Sequence, residues 1–139
     1  MREPPGGDEV LFDTEHLKVT VDLNRRALWF VRMPTRVEDP GELLRAYRRG
    51  MASVGHADFT AIIDARQAIG RQDAAFERVA TTLRQEFVRR YVRVVVLVRS
   101  VAGTLHARRM HRKDGWEVPV VRTVEDALAI AAGETLEPS

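Results

Sequence analysis

Five consecutive aliphatic residues at positions 94–98 constrain the fold of this chain more than any other feature of its sequence. A strand with one face in water alternates apolar and polar side chains, and this run does not alternate. Such a run is typical of a strand that is covered on both faces of its sheet. Sheets of this kind are usually parallel, because the helices that cover the faces also make the crossover connections. The run therefore predicts an α/β protein.

The hydrophobic pattern on either side of this run changes repeatedly between strand and helix. Residues 17–23 alternate apolar with polar side chains, and residues 27–33 are rich in aromatic and aliphatic ones. The turn residue Asn24 lies between them, so the two segments predict an antiparallel hairpin. Beyond the hairpin, apolar spacing and helix-capping residues predict helix 40–54, strand 59–63, a helix after the loop 65–72, strand 94–98, helix 101–111, strand 116–121 and a helix from 124.

The resulting order is β-β-α-β-α-β-α-β-α. An opening hairpin followed by alternating helices and strands predicts a mixed, mostly parallel sheet flanked by helices. The 139 residues are enough for one domain and too few for two ordinary ones. We expect a single domain over residues 13–132, with flexible tails at 1–12 and 133–139, where no apolar period is visible.

Composition excludes several classes of protein. The chain has no cysteine, which excludes a disulfide framework, cysteine catalysis and thiolate metal ligands. With 45% hydrophobic and 30% charged residues, it has the composition of a folded protein rather than a disordered one. No apolar run approaches the ~18 residues of a membrane span, and the start of the chain lacks the apolar stretch of a secretory signal. We therefore expect a cytoplasmic protein.

The charge is distributed unevenly, although the net charge is only +2. Residues 1–70 have a balance of −1, residues 71–113 a balance of +8 and residues 114–139 a balance of −5. The basic middle segment is suited to an anionic partner, and it is equally suited to neutralisation by acidic ends that fold back over it. We favour neutralisation, since net charge bears on association more than on activity.

The densest basic run lies at the end of the predicted helix 101–111. It consists of Arg108, Arg109, Arg112 and Lys113. The run is either a patch for an anionic partner or the solvated face of a short helix. Proteins that bind single-stranded nucleic acid combine basic residues with exposed aromatic ones, and no aromatic residue lies within the run. We therefore expect that nucleic acid is not the partner.

Two loops that follow predicted strands bring polar residues to one edge of the sheet. Asp64 and Arg66 follow the strand before the second helix, and Arg71 lies just ahead of that helix. Ser100 and Thr104 hold the equivalent place after the aliphatic run. Ligands of open α/β sheets collect outside the carboxyl ends of the strands, and arginine forks suit anions. The five residues therefore predict a polar pocket for a partner or a small anionic ligand.

The same loops also have a purely structural interpretation. Asp64 is suited to binding a cation or taking up a proton, but equally to accepting amides of its own loop in an Asx turn. Asp73 is placed to cap the second helix, which would occupy amides that otherwise attract an anion. Ser100 is placed to cap the third helix in the same way. Two ordinary capped helix starts are therefore the interpretation that we favour over a pocket.

Neither a metal site nor a catalytic constellation is predicted. His106 and His111 are about 140° apart around a helix, so they do not converge on one ion. His16 and His56 have no acidic or histidine partner at ligand spacing. Ser100 has no aligned base, and no Walker or Rossmann fingerprint is present. We expect no metal, no cofactor and no enzymatic activity.

The layout resembles the STAS family of anti-sigma-factor antagonists and sulfate-transporter cytoplasmic domains, and more closely the SpoIIAA-like (STAS/SEC14-type) bacterial domains. The resemblance covers residues 14–131 and is carried by IIDAR at 62–66, VVVLV at 94–98 and TVEDALA at 123–129. It implies a STAS-like fold. Antagonists of this family carry a phosphorylatable Ser or Thr in the loop after the central strand, and residues 64–73 contain neither. We therefore expect no phosphorylation switch in this loop.

Two functions follow from these observations. The resemblance and the incomplete catalytic inventory favour a non-enzymatic regulatory or protein-interaction module, which binds a protein partner or self-associates. The alternative is the binding of a small anionic or lipid-like ligand in the loops at the carboxyl ends of the strands.

Overall fold

The computed structural model describes residues 9–69, 73–115 and 118–134. Their elements are β1 (Glu9–Asp13), β2 (Leu17–Asp22), β3 (Ala27–Arg32), α1 (Pro40–Val54), β4 (Thr60–Asp64), α2 (Ala74–Arg90), β5 (Arg93–Leu97), α3 (Val101–Asp114), β6 (Val120–Val121) and α4 (Val124–Ala131). The strands form one sheet in that same order, β1 to β6. β1, β2 and β3 pair antiparallel, and β3 to β6 pair parallel. The predicted α/β class and the mixed, mostly parallel sheet are confirmed.

β5 is covered on both faces, as its aliphatic run predicts. Val94, Val96 and Val98 pack on the face that carries α1, α2 and α3, while Val95 and Leu97 pack on the face that carries α4. Each of the five side chains is at most 8% exposed. Burying one such side chain stabilises the fold by roughly 1.5–3 kcal/mol, which explains why the run contains no polar residue.

The larger part of the core lies between the sheet and helices α1 and α2. Phe30 of β3 meets Phe87 of α2 edge to face, with 4.9 Å between the ring centroids. Tyr47 of α1 lies edge-on to the same Phe87 at 5.9 Å. On the other face, the eight-residue helix α4 completes a second apolar cluster that includes Trp29 and Ile62. Three helices thus share one face of the sheet, and one short helix covers the other.

Every helix begins at a side chain that accepts an amide of the first turn. The cap residues are Asp39 for α1, Asp73 for α2, Ser100 for α3 and Thr123 for α4, with N···O distances of 2.9–3.1 Å. All four caps are predicted by the sequence, and each contributes about 1 kcal/mol. Each cap residue therefore marks the point at which the loop after a strand ends and the next helix begins.

Three elements differ from the sequence prediction by more than one residue at a boundary. The strand β1 lies at Glu9–Asp13, where no strand was expected, because a bulge between Val10 and Phe12 breaks the alternation that would reveal it. Helix α3 continues three residues past the predicted end at 111 and stops at Gly115, whose φ of 76° favours glycine. The last strand is observed only at Val120–Val121, and residues 116–117 of the predicted strand lie outside the described residues.

Candidate functional site

A cavity of about 410 Å³ lies at the edge of the sheet where the sequence places a ligand. The carboxyl ends of β3, β4 and β5 form its floor, and α1, α2 and α3 form its walls. Small-molecule sites are typically cavities of about 300–1,000 Å³ with apolar walls and a few polar groups. The apolar lining includes Leu43, Ile63, Phe76, Leu83, Val96 and Met110.

Asp64 and Arg66 form a closed ion pair at the end of β4. Arg66 donates from Nε and Nη2 to the two carboxylate oxygens of Asp64 at 2.9 and 2.8 Å. The backbone N–H of Arg66 donates to the same carboxylate at 3.1 Å, as in an Asx turn. These hydrogen bonds raise the pKa of Arg66, although partial burial opposes them. The geometry matches the structural interpretation of Asp64, whose two oxygens are already occupied.

Arg32 lines the cavity from the end of β3 and is only 5% exposed. Its Nη1 donates to the carbonyl of Met33 and to the hydroxyl of Thr35, and its Nη2 donates to the carbonyl of Thr35 at 2.9 Å. No carboxylate of the described residues lies within 4 Å of the guanidinium. Burial therefore lowers the pKa of Arg32. This cation is held by neutral acceptors, whereas Arg66 is held by a carboxylate.

Tyr47 lines the cavity from α1 and is 4% exposed. Burial raises the pKa of Tyr47 to about 12; the nearby charge of Arg32 lowers it and that of Asp64 raises it. The phenol is therefore protonated at neutral pH. Its hydroxyl makes no hydrogen bond within the described part of the chain. Tyr47 thus brings an unused donor to the same cavity as Arg32.

The start of α3 contributes less than the sequence predicts. Ser100 lines the cavity, but its hydroxyl oxygen accepts the N–H of Gly103 at 3.0 Å. Thr104 is buried and donates to the carbonyl of Ser100 at 3.1 Å, and it is not part of the lining. Both hydroxyls therefore form hydrogen bonds with the first turn of α3, as expected for an ordinary capped helix start.

Two histidines of α3 reach the cavity wall. His106 and His111 both line it, together with Arg99 from the end of β5. The Nδ1 of His111 lies 3.2 Å from the carbonyl of Val118. In the segments 9–69, 73–115 and 118–134, no group of three His, Asp or Glu side chains is arranged to hold a metal ion.

The basic run of α3 lies outside the cavity, on the surface of the helix. Its four cations are exposed and make no ion pair with any described residue. Two aliphatic residues of the same helix, Val101 and Leu105, are 55% and 62% exposed. Helical spacing places them in line with the cations. We call this surface the α3 outer face; it consists of Val101, Leu105, Arg108, Arg109, Arg112 and Lys113.

The structure brings together only part of the predicted site. Arg66 and Ser100 line the cavity, and Asp64 lies behind Arg66 as its partner. Thr104 does not reach the cavity. Arg71 lies outside the described residues. The predicted edge of the sheet does hold a cavity, but its predicted polar groups are mostly engaged with one another.

Sequence reasoning missed two buried residues with polar groups that line the cavity, Arg32 and Tyr47. A signal for Arg32 is present, because it continues the inward-facing period of Leu28 and Phe30 on β3. A charged residue at an inward position of a buried strand indicates a site rather than a surface. Tyr47 gives no such signal, since it fits the apolar face of α1.

Comparison of the chain with protein-family models, with curated proteins and with solved structures gives no match. No helix in the described part of the chain is long and apolar enough to cross a membrane. The geometry of the cavity is therefore the basis for inferring its function.

Proposed function

We propose that this protein binds a small amphipathic anion in the cavity between the sheet and helices α1, α2 and α3. The observation that carries the proposal is Arg32, a buried cation that lines an apolar cavity with no carboxylate of the described residues within 4 Å. A buried charge is costly unless a counter-charge or full hydrogen bonding compensates it. An anionic ligand supplies that compensation.

The charges around the cavity support an anion rather than a cation. Among the described lining residues are four arginines and one acidic residue, Glu77. The carboxylate of Asp64 pairs with Arg66. The wall is otherwise largely aliphatic and aromatic, so the body of the ligand is apolar.

Binding of anilinonaphthalene sulfonate, an amphipathic anion whose fluorescence reports an apolar site, tests this function. Ala107 lines the cavity, so Ala107→Phe places a ring inside it, whereas Ala102 is exposed on the same helix and lies outside the lining. We expect Ala107→Phe to weaken binding at least about tenfold and Ala102→Phe to leave it unchanged. Ala80→Leu fills the cavity from α2 and gives a second variant. Equal binding by folded filled variants and the wild type would contradict the proposal.

The second candidate is a non-enzymatic interaction module with a STAS-like fold, as the sequence resemblance implies. The α3 outer face favours it, because exposed cations without carboxylate partners among the described residues lie beside two exposed aliphatic side chains. An acidic protein segment with an aliphatic residue is the complement of such a surface.

A pull-down from native lysate tests the second candidate through a charge reversal. Arg108→Glu/Arg109→Glu reverses two cations of the α3 outer face, and Arg89→Glu/Arg90→Glu reverses two exposed cations at the end of α2. We expect the first pair of substitutions to abolish capture of the partner and the second pair to preserve it. Capture that survives both reversals would exclude the α3 outer face as the interface.

A further inference from the structure

We infer that the ligand of this cavity is a carboxylic acid, whose carboxylate is bound by Arg32 and Tyr47 and whose apolar body lies along the walls of α2 and α3. This inference rests on the proposed function and names the chemical class of the ligand.

Arg32 has two N–H donors that the described residues do not use. A guanidinium has five N–H donors, and Arg32 uses three of them toward the described residues, two from Nη1 and one from Nη2. The two that remain are on Nε and Nη2, which are adjacent nitrogens. Arg66 binds the carboxylate of Asp64 through the same two nitrogens at 2.9 and 2.8 Å. The free donors of Arg32 therefore match the two oxygens of a carboxylate.

The hydroxyl of Tyr47 supplies a further hydrogen-bond donor to the cavity. It is protonated at neutral pH and has no hydrogen-bond partner among the described residues, so it is a third donor in the cavity that Arg32 also lines. A carboxylate accepts hydrogen bonds only, and its lone pairs accommodate all three donors. A neutral alcohol would satisfy one or two of them and leave the charge of Arg32 uncompensated.

Three other polar residues of the cavity, Arg66, Ser100 and Arg99, are less suited to the ligand's head. The fork of Arg66 is occupied by Asp64, and the hydroxyl of Ser100 is occupied by the amide of Gly103. Arg99 is exposed. The head of the ligand therefore lies at the β3 and α1 side of the cavity.

The apolar body then extends in one direction only. From Arg32 on β3 the floor of the cavity continues through Ile63 on β4 to Val96 on β5, and the walls above it include Leu83 of α2 and Met110 of α3. These side chains suit an alkyl or aryl chain, and each buried methylene adds about 0.8 kcal/mol to binding.

Titration calorimetry with octanoate, octanol and octyl phosphate tests the inference on one matched chain length. We expect octanoate to bind the wild type at least about tenfold more tightly than octanol, since hydrogen bonds to a charged group are the strong ones. Arg32→Met and Arg32→Lys should each remove that preference, because lysine keeps the charge but not the fork. Tyr47→Phe should reduce octanoate affinity several-fold, while Arg89→Met, at an exposed position of α2 that does not line the cavity, should leave it unchanged.

The outcomes separate this inference from the proposed function. Octanoate and octanol that bind equally well, with Arg32→Met matching the wild type, would overturn the carboxylate assignment and leave the cavity as an apolar ligand site. Tighter binding of octyl phosphate than of octanoate would overturn it in favour of a phosphate. If none of the three binds and anilinonaphthalene sulfonate is indifferent to Ala107→Phe, both the inference and the proposed function are wrong.

Discussion

At the scale of single residues, two of the arginines that line the cavity have opposite surroundings. Arg66 is fixed by the carboxylate of Asp64, whereas Arg32 is held by carbonyls and a hydroxyl. The Arg66 guanidinium has its counter-charge without a ligand, whereas two N–H donors of Arg32 have no acceptor among the described residues. Asp64 therefore stabilises the loop after β4, and Arg32 is the residue whose surroundings a ligand would change.

Asp64→Asn should destabilise the fold by about 3 kcal/mol, because it leaves Arg66 without a counter-charge at a site where Asp64 is 2% exposed. Asp58→Asn is the matched control, since its ion pair with Arg26 is exposed on both sides. We expect the control to cost less than about 1 kcal/mol. Urea unfolding measures both free energies, and equal losses would contradict the assignment of Asp64 to a structural role.

Two buried tyrosines predict a loss of stability in alkaline solution. Burial raises the pKa of Tyr47 and of Tyr91 to about 12, above the ordinary value near 10. The folded state therefore holds these protons more tightly than the unfolded state. The stabilisation is complete below pH 10 and is lost as the pH rises from about 10 to 12, by about 2–3 kcal/mol for each tyrosine.

Melting temperatures between pH 8 and pH 12 measure this effect. The double variant Tyr47→Phe/Tyr91→Phe should show a smaller decline than the wild type over the same interval. Tyr91→Phe alone should cost little at neutral pH, since the Tyr91 hydroxyl is buried and has no hydrogen-bond partner within the described segments. An unchanged pH profile in the double variant would show that other groups control alkaline unfolding.

The polar residues of the site were only partly predictable from sequence. Asp64, Arg66 and Ser100 were found because residues after parallel strands meet at one edge of the sheet. Their mutual hydrogen bonds could not be predicted, because they depend on side-chain distances of about 3 Å. Arg32 and Tyr47 were missed, since the patterns around them also describe an ordinary strand and an ordinary helix face.

At the scale of elements, the packing of α1 against the antiparallel strands depends on a glycine. A Cβ at Gly50 would lie 3.0 Å from a methyl group of Leu17 and 3.3 Å from the ring of Phe12. Leu17 is fully buried, so it has little room to move. Helix α1 thus approaches β1 and β2 more closely than any other residue at this position would allow.

Gly50→Ala should therefore destabilise the fold by about 1 kcal/mol. Alanine gains about 1 kcal/mol of helix propensity over glycine, while overpacking a buried contact costs about 1–3 kcal/mol. Gly41→Ala in the first turn of α1 is the control, because its Cβ would meet only the exposed side chains of Arg45 and Asp39. The control should be neutral or slightly stabilising in thermal unfolding. A Gly50→Ala variant more stable than the wild type would show that the side chains of Leu17 and Phe12 move to accommodate the added methyl group.

Most elements were predictable because each has a local signal. Capping side chains located all four helix starts, and unbroken aliphatic residues located β5. β1 has no such signal, since its bulge disrupts the period of two and its pairing with β2 is a tertiary interaction. The STAS-like arrangement of these elements stays a prediction.

At the scale of the whole molecule, the described residues form no ion pair that neutralises the basic run of α3. The observed ion pairs among the described residues link other parts of the chain, as Arg48 and Glu86 do between α1 and α2 at 2.7 Å. The expected neutralisation of the basic run by the acidic end of the chain has no ion pair to support it within residues 118–134.

We nevertheless expect only weak binding of nucleic acid, with a Kd at or above ~10 μM at physiological salt. The net charge is only +2, and the α3 outer face combines its cations with aliphatic residues. If its four cations each bound a duplex phosphate, a plot of the logarithm of the binding constant against the logarithm of the salt concentration would have a slope of about −3.6. Titration of labelled duplex and single-stranded DNA at two salt concentrations decides this. Submicromolar binding that Arg108→Glu/Arg109→Glu abolishes would contradict our expectation.

The position of α4 at the end of the described chain has a consequence for synthesis. The sheet grows in chain order, so each new strand joins an edge that the ribosome has already released. The face that includes Trp29, Ile62 and Val95, however, is covered by the last helix. A nascent chain therefore leaves this apolar face uncovered until α4 has emerged from the ribosome, and the period in which it can aggregate or be bound by a chaperone ends only then.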